Sequence, residues 1–339
     1  MDSWLNLAIL IGFLFVIEEV YLRSAASWGI IDRPNRRSSH AIAVVRGGGI
    51  IFPLAWLAYA AMSGNLLPWF TAGLLIVTLV SFIDDVKPLG AGLRFLSHLL
   101  AFSLMFQQLD AWATWPWWVL PVSLTACIAM VNAFNFMDGI NGITGIYALS
   151  ILIPLAVLSI SSNDGWQAFT DGPIPYLLAS VAVFGFHNFR RQARCFAGDV
   201  GSIGMGYITC FLILLLMTDK ADVIGIPDEE GSGWKYILLP LIYGVDSLLT
   251  IMQRLAKGEN IFKAHRTHLY QYLSNELALP HLLVSGVYGT AQLAINLYLI
   301  SKDADVGVCI TILLYVSLAY LTVRDIILSA IYSRQGGIR

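Results

Sequence analysis

Apolar residues run almost unbroken through most of the chain, in stretches separated by short polar clusters. Neither the alternation of a half-buried strand nor the one-sided stripe of a surface helix dominates, because whole stretches are apolar on every side. A helix needs about 20 such residues to cross the hydrocarbon core of a bilayer. Eleven runs qualify, near residues 4–22, 47–63, 66–83, 94–108, 116–134, 142–160, 174–188, 201–217, 235–253, 281–300 and 306–325. The fourth and seventh are short, so ten spans with one re-entrant piece also fits. Eleven helices take up roughly 220 residues, and the rest is divided among ten loops and two tails. No segment is left for a water-soluble domain. The expectation is therefore an all-α polytopic integral membrane protein, a single domain over 1–339, with its chemistry on helix ends and short loops. A basic loop follows the first apolar stretch without a small-residue cleavage site, so that stretch is expected to remain as a span.

Composition agrees. The chain is 57% apolar and 12% charged, with a mean hydropathy of +0.71, against about 45–50% and about 25% in soluble domains. So little charge excludes a disordered chain and cannot coat a water-facing globule of 339 residues. Cys127, Cys195, Cys210 and Cys309 are far apart, in no metal or redox spacing, and read as small apolar fillers. The net charge of −2 becomes informative only once the charges are placed. Alternate loops divide the basic residues seventeen to three, with Lys220, Lys235 and Lys302 alone in the poorer set. Basic loops stay in the cytoplasm, which puts the N-terminus outside and the C-terminus inside. The outward loops are acidic, as at Asp228-Glu229-Glu230, and Trp115, Trp117 and Trp118 fit an interfacial aromatic belt. No nucleic acid partner is expected.

The uncommon polar residues fall on the inward side. Asp84 and Asp85 end the third run, and Lys87-Pro88-Leu89-Gly90 ends the helix beside them. Adjacent helical residues diverge by about 100°, so the two carboxylates share a ligand only if the helix stops there. In Asn132-Ala133-Phe134-Asn135-Phe136-Met137-Asp138-Gly139-Ile140-Asn141-Gly142, a helical turn would set Asp138 and Asn141 on one face. A glycine-rich helix contact explains the glycines there, but not Asn132, Asn135 and Asp138 together. Phe196-Ala197-Gly198-Asp199-Val200-Gly201-Ser202 opens the eighth run. Asp199 and Ser202 make a plain N-cap pair, and a glycine-rich helix N-terminus near Arg194 is also a phosphate site. Arg46-Gly47-Gly48-Gly49 offers a cation followed by backbone amides free of side chains, unless Arg46 only sets topology.

His265 and His268 are three apart in the longest inner loop, yet no third ligand at matching spacing supports zinc. A phosphate or nucleotide contact is the better reading of His265, Arg266 and His268. Carboxylates without cysteine are hard oxygen ligands, so Mg²⁺ is the natural ion, with Mn²⁺ as its alternative. The chain has no Walker lysine loop and no dinucleotide fingerprint.

In this order, these motifs resemble the polyprenyl-phosphate N-acetylhexosamine-1-phosphate transferases, over about residues 32–325. Arg37-Ser38-Ser39-His40 and Arg46-Gly47-Gly48-Gly49 look most like the branch that starts O-antigen synthesis. The resemblance implies a multi-pass protein of the bacterial cytoplasmic membrane, in which undecaprenyl phosphate attacks the β-phosphorus of a UDP-sugar and releases UMP. It also implies roles. Asp199 would be the Mg²⁺ ligand, and Asp84 and Asp85 would serve the metal and the acceptor phosphate. Asp138 and Asn141 would line the nucleoside end, with Asn135 beside them. Phe196 would stack on uracil. Asn188 matches an amide before the glycine-aspartate motif, and His268 matches the first histidine of the inner-loop motif. A homodimer is implied too.

A phosphate monoester has a second pKa near 6, so roughly nine-tenths of the acceptor is a dianion at pH 7. A general base then adds little, and orientation and charge neutralisation should dominate. An aspartyl phospho-enzyme route is equally compatible with the motifs. Three positions depart from the family pattern. Asn141 stands where a second Asp is common, Val45 replaces a proline, and His268-Leu269-Tyr270-Gln271 is poorer in histidine. Two other classes compete. A secondary transporter would suit eleven spans but would place its ionisable groups near the midplane. A lipid-binding scaffold would not depend on Asp199.

Overall fold

The computed structural model describes residues 3–34, 39, 42–161, 165–218, 220–224, 226, 233–261, 263, 265–302 and 304–336. Arg37, Ser38, His40 and the acidic run 228–230 lie outside them. The chain opens with α1 (Ser3–Trp28), then a two-residue antiparallel pair, β1 (Ile31–Asp32) with β2 (Val44–Val45). A 3-10 turn, Gly48–Ile50, runs into α2 (Ile51–Ser63), followed by α3 (Pro68–Val86), α4 (Ala91–Gln108), the short α5 (Ala111–Thr114) and α6 (Val119–Met137). Next come α7 (Ile143–Ile160), α8 (Gly165–Asp171), α9 (Ile174–Asn188), α10 (Gly198–Met217) and α11 (Leu241–Ala256). The chain finishes with α12 (Leu269–Gln271), α13 (His281–Ser301) and α14 (Val306–Gly336).

The protein is an all-α membrane bundle apart from that strand pair. Among the described residues, seven helices are long and apolar enough to cross a membrane: α1, α3, α6, α7, α10, α13 and α14. The bent pair α8 and α9, at 63°, makes an eighth if it counts as one span. Three further runs predicted as spans fall short on their own. Apolar α2 has only 13 residues, α4 carries Arg94, Ser97 and His98 near its start, and α11 is strongly amphipathic. A count of apolar runs cannot separate a helix that meets lipid from one completed by its neighbours.

α10 is the centre of the bundle, buried over almost its whole length and packed by α2, α3 and α6. Its small residues explain the placement, since glycines let membrane helices approach closely. A Cβ built on Gly206 would lie 3.2 Å from that of Phe134 on α6, and one on Gly201 would meet the Gly49 Cα at 2.5 Å. This last contact brings the turn after β2 onto the N-terminus of α10.

Candidate active site

Three segments meet at the start of α10, and a fourth is tied to the third. The first is the stretch after β2, which pairs with the chain just before α10. Phe196 N–H donates to the Val45 carbonyl at 2.9 Å, Gly48 N–H to that of Phe196 at 2.9 Å, and Gly49 N–H to that of Ala197 at 3.0 Å. The Tyr21 hydroxyl of α1 holds the Arg46 carbonyl at 2.8 Å. Arg46 is thereby delivered to two acids: its Nε lies 2.7 Å from Asp85 Oδ1, and its Nη2 lies 3.0 Å from Asp199 Oδ1. Burial works against the Arg46 guanidinium, but the charges of Asp85, Asp199 and Asp32 outweigh it and raise its pKa.

The second segment is the end of α3. Asp85 accepts the N–H of Asp199 at 2.9 Å and of Val200 at 3.0 Å, capping the positive end of α10 from another helix. Asp84 accepts from Leu89 N–H and pairs with Arg94 Nη1 at 3.2 Å, while the same nitrogen lies 3.9 Å from Asp199 Oδ2. Asp199 also touches the side chains of Asp84 and Asn135. Three acids and two arginines thus interleave at one helix end. Arg94 supplies positive charge between Asp84 and Asp199.

The third segment is the turn between α6 and α7. Asp138 accepts from the Thr144 hydroxyl at 2.5 Å and from the Gly198 backbone. Burial raises its pKa to about 6. Asn135 reaches Ser202 Oγ at 3.3 Å. Asn132 instead donates to the Ile128 carbonyl of its own helix.

The fourth segment, 254–271, is tied to the third. The Tyr270 hydroxyl donates to the Phe136 carbonyl at 2.9 Å, and the His268 ring lies 6.2 Å from that of Phe136. His265 is 4.9 Å from His268 between ring centres. Burial, with His268 and Arg254 nearby, lowers the His265 pKa to about 4. It is a neutral ring at pH 7, not a fixed cation. Arg266 faces Glu276 at 3.5 Å.

The expected site residues therefore divide. Arg46, Asp84, Asp85, Asn135, Asp138 and Asp199 converge, with half-buried Phe196 at the edge. His265, Arg266 and His268 lie across the Phe136–Gly139 turn from Asp138. Asn141 and Asn188 act as scaffold. The Asn141 amide donates to the Arg190 and Arg191 carbonyls, and Asn188 accepts from Gly142 N–H and donates to the Cys195 carbonyl.

Two expectations about free backbone amides fail. The α10 amides expected to cradle phosphate are taken by Asp85, and those of Gly48 and Gly49 by the chain at 196–197. Arg194 is also elsewhere, pairing with Glu19 at 2.6 Å. Arg94 joins the site without having been singled out. Its signal is a basic residue ten positions after Asp84, in the first turn of α4.

Comparison with known proteins finds one matching family and several relatives. The family described as glycosyl transferase family 4 matches residues 67–217, which hold α3 to α10 and the acids Asp84, Asp85, Asp138 and Asp199. A probable undecaprenyl-phosphate N-acetylglucosaminyl 1-phosphate transferase of Bacillus subtilis (strain 168) is 23% identical over 278 residues, covering 77% of this chain and 74% of the relative. The undecaprenyl-phosphate alpha-N-acetylglucosaminyl 1-phosphate transferase of Haemophilus influenzae is 27% identical over 325 residues, 88% of each chain. The Yersinia pestis enzyme of the same description is 26% identical over 285 residues, 77% of this chain and 73% of the relative. The chain is thus similar to undecaprenyl-phosphate N-acetylglucosaminyl 1-phosphate transferases over most of its length, and its residues 67–217 match the glycosyl transferase family 4 model.

Proposed function

We propose that the protein transfers a sugar 1-phosphate from a UDP-sugar to undecaprenyl phosphate and releases UMP. A phosphate oxygen of the lipid attacks the β-phosphorus, a new phosphoanhydride forms, and the old one breaks with its electron pair leaving on UMP. One anhydride replaces another, so no separate energy source is needed. The names of the three relatives make N-acetylglucosamine the first sugar to test, with N-acetylated deoxy sugars behind it. The transfer begins a lipid-linked glycan such as O-antigen.

The observation that carries the reading is the meeting of Asp84, Asp199, Arg46 and Arg94 at the start of α10. Two anions must come together for this reaction, and the arginines supply the fixed positive charge that lets them. Mg²⁺ is usually held by one or two carboxylates and completed by substrate phosphates. Among the described residues no three His, Cys, Asp or Glu side chains form a closed metal cage. Asp84 and Asp199, both reached by Arg94, fit the open kind of site, and Asp85 fits it less well because its oxygens already accept two backbone amides and face Arg46. When bound, the ion would neutralise charge on the diphosphate. Asp138 and Asn135 would orient the donor, Phe196 would stack on its base, and His265, Arg266 and His268 would close over it. An apolar groove of 1190 Å³ between α11, α13 and α14, running from Leu269 past Ile295 to Val316, suits the isoprenoid tail.

In the sequence, the site segments fall in the same alternate loops as the seventeen-residue basic set. The same rule that keeps basic loops inside puts the site in the cytoplasm of a bacterium, where UDP-sugars are made, and the N-terminus outside. A secondary transporter would instead hold these groups at mid-membrane. The test is purified protein in detergent with undecaprenyl phosphate, Mg²⁺ and a panel of UDP-sugars. UMP release that requires the lipid is expected, and none with any UDP-N-acetylhexosamine would overturn the reading. Mass measurement of the detergent complex checks the homodimer.

A further inference from the structure

Asp246 takes no part in the site as described, yet it is the most heavily bonded carboxylate among the described residues. It sits on α11 at 0% exposure, and His268, at 1%, opens α12 beside it. His268 Nδ1 is 3.1 Å from Asp246 Oδ1. The same carboxylate accepts Leu269 N–H at 3.3 Å, the Tyr288 hydroxyl of α13 at 2.7 Å and the Tyr320 hydroxyl of α14 at 3.1 Å. The Thr250 hydroxyl adds a contact at 3.3 Å. Surrounded by donors, an ionised carboxylate only accepts, so the hydrogen shared with the imidazole is on Nδ1.

The other ring nitrogen is the informative one. His268 Nε2 is buried and has no hydrogen-bond partner among the described residues. A nitrogen left over in this way is uncommon in a folded interior and asks for a reason. The position of the ring supplies the reason. It stands against Phe136, and Tyr270, two residues on, packs so closely on the same turn that a Cβ on Gly139 would lie 2.2 Å from the Tyr270 hydroxyl. Tyr270 lies within electrostatic reach of both Asp246 and Asp138.

We propose that Asp246 is a positioning residue: it holds the His268 ring as an imidazolium, with Nδ1–H bound to the carboxylate and Nε2–H offered as a donor to the phosphates of a sugar nucleotide seated beside Asp138. The proposal rests on the transfer reading for the identity of that nucleotide. The hydrogen bond itself is independent of it. Four helices fix the ring's orientation, because α12, α13 and α14 all donate to the carboxylate that α11 carries. Binding then needs no reorientation of the imidazole, the kind of preorganisation on which outer-sphere partners of functional histidines act.

Two measurements on the full-length protein test it. In bilayers, ¹⁵N-histidine spectra, with the His268 signals identified by their loss in His268→Gln, should show both ring nitrogens protonated, with Nδ1 bonded to a carboxylate, and should change in Asp246→Asn. A proton on one nitrogen alone, or a spectrum unmoved by Asp246→Asn, overturns the proposal whether or not the protein turns over UDP-sugars. For turnover, Asp246→Asn should lower kcat roughly ten- to a hundred-fold with little change in KM for the donor. The double variant with His268→Gln should be no worse than His268→Gln alone, the non-additivity expected when one residue acts through another. Tyr320→Phe, which keeps the pair intact, should stay within about three-fold of the wild type. Additive losses, or a Tyr320→Phe as damaged as Asp246→Asn, would mean that Asp246 only supports the packing of α14. A wild-type protein without turnover would sink the transfer reading and leave the spectra to decide the pair.

Discussion

Replacing Gly49 by alanine puts a methyl group where α10 already stands. The new Cβ would lie 2.4 Å from the Gly201 Cα and 2.9 Å from the Ala197 carbonyl oxygen, both backbone atoms that cannot rotate aside. Ordinary contact begins about 1 Å further out, so the turn carrying Arg46 and the helix carrying Asp199 must separate by about that much. Overpacking of this kind costs about 1–3 kcal/mol, and misplacing catalytic groups by about 1 Å costs about 100-fold in rate. The salt contact at 3.0 Å between Arg46 and Asp199 spans this same junction. Gly204→Ala is the matched control. It lies on the same helix, and its Cβ would meet only Pro53, at 3.5 Å. In the UMP-release assay Gly49→Ala should lose about 100-fold in kcat while still inserting into membranes, and Gly204→Ala should stay near the wild-type rate. A Gly49→Ala enzyme of wild-type rate would refute the idea that this glycine contact sets the spacing of the site.

Asp199→Asn and Asp85→Asn should both lose activity with membrane insertion retained, measured by turnover beside detergent gel filtration, and full activity in both would misassign the site. Arg94→Gln should cost at least ten-fold in kcat/KM, since its guanidinium bridges Asp84 and Asp199, whereas Arg194→Gln, remote from the acids, should stay within a few-fold. With the Asp138 pKa raised to about 6, turnover should fall as pH drops through that value, and Asp138→Asn should be slow with the step at pH 6 gone. The sign of the stability effect is opposite. A carboxyl whose folded value exceeds its ordinary one gives most stability below its unfolded value and loses it as pH rises through about 6. Lost turnover at pH 5.5 with an unchanged melting point would therefore come from the site, not from unfolding.

Much of the site could be read from the sequence because its acids stand where helices end. Asp84-Asp85 before Lys87-Pro88 and Gly198-Asp199 before an apolar run announce a chain terminus of α3 and a chain start of α10, and membrane helices put such ends at one of two surfaces. What the sequence hid were partnerships. Asp85 caps a helix 114 positions away, and that use consumes the amides that glycine-rich motifs seemed to offer a phosphate. Asn141 and Asn188 have the side chains of ligands, but they serve backbone atoms in a loop 49 and 46 residues distant. The pairing of Asp246 with His268 crosses from one helix to the next loop at a spacing, 22 residues, that no local period reports. The expected eleven spans and the seven or eight long apolar helices differ for a related reason. Hydropathy registers how apolar α2, α4 and α11 are, and is blind to the neighbours that finish them.

The central claim is that the β-phosphorus of the donor moves to the lipid. Donor labelled with ³²P in the β-position separates this from transfer of the sugar alone, because the two reactions cut different bonds. With UDP-N-acetylglucosamine so labelled, undecaprenyl phosphate and Mg²⁺, label should pass into the solvent-extractable lipid in step with UMP. Label that stays in water-soluble UDP while lipid is glycosylated, or that never leaves the donor, would contradict the account.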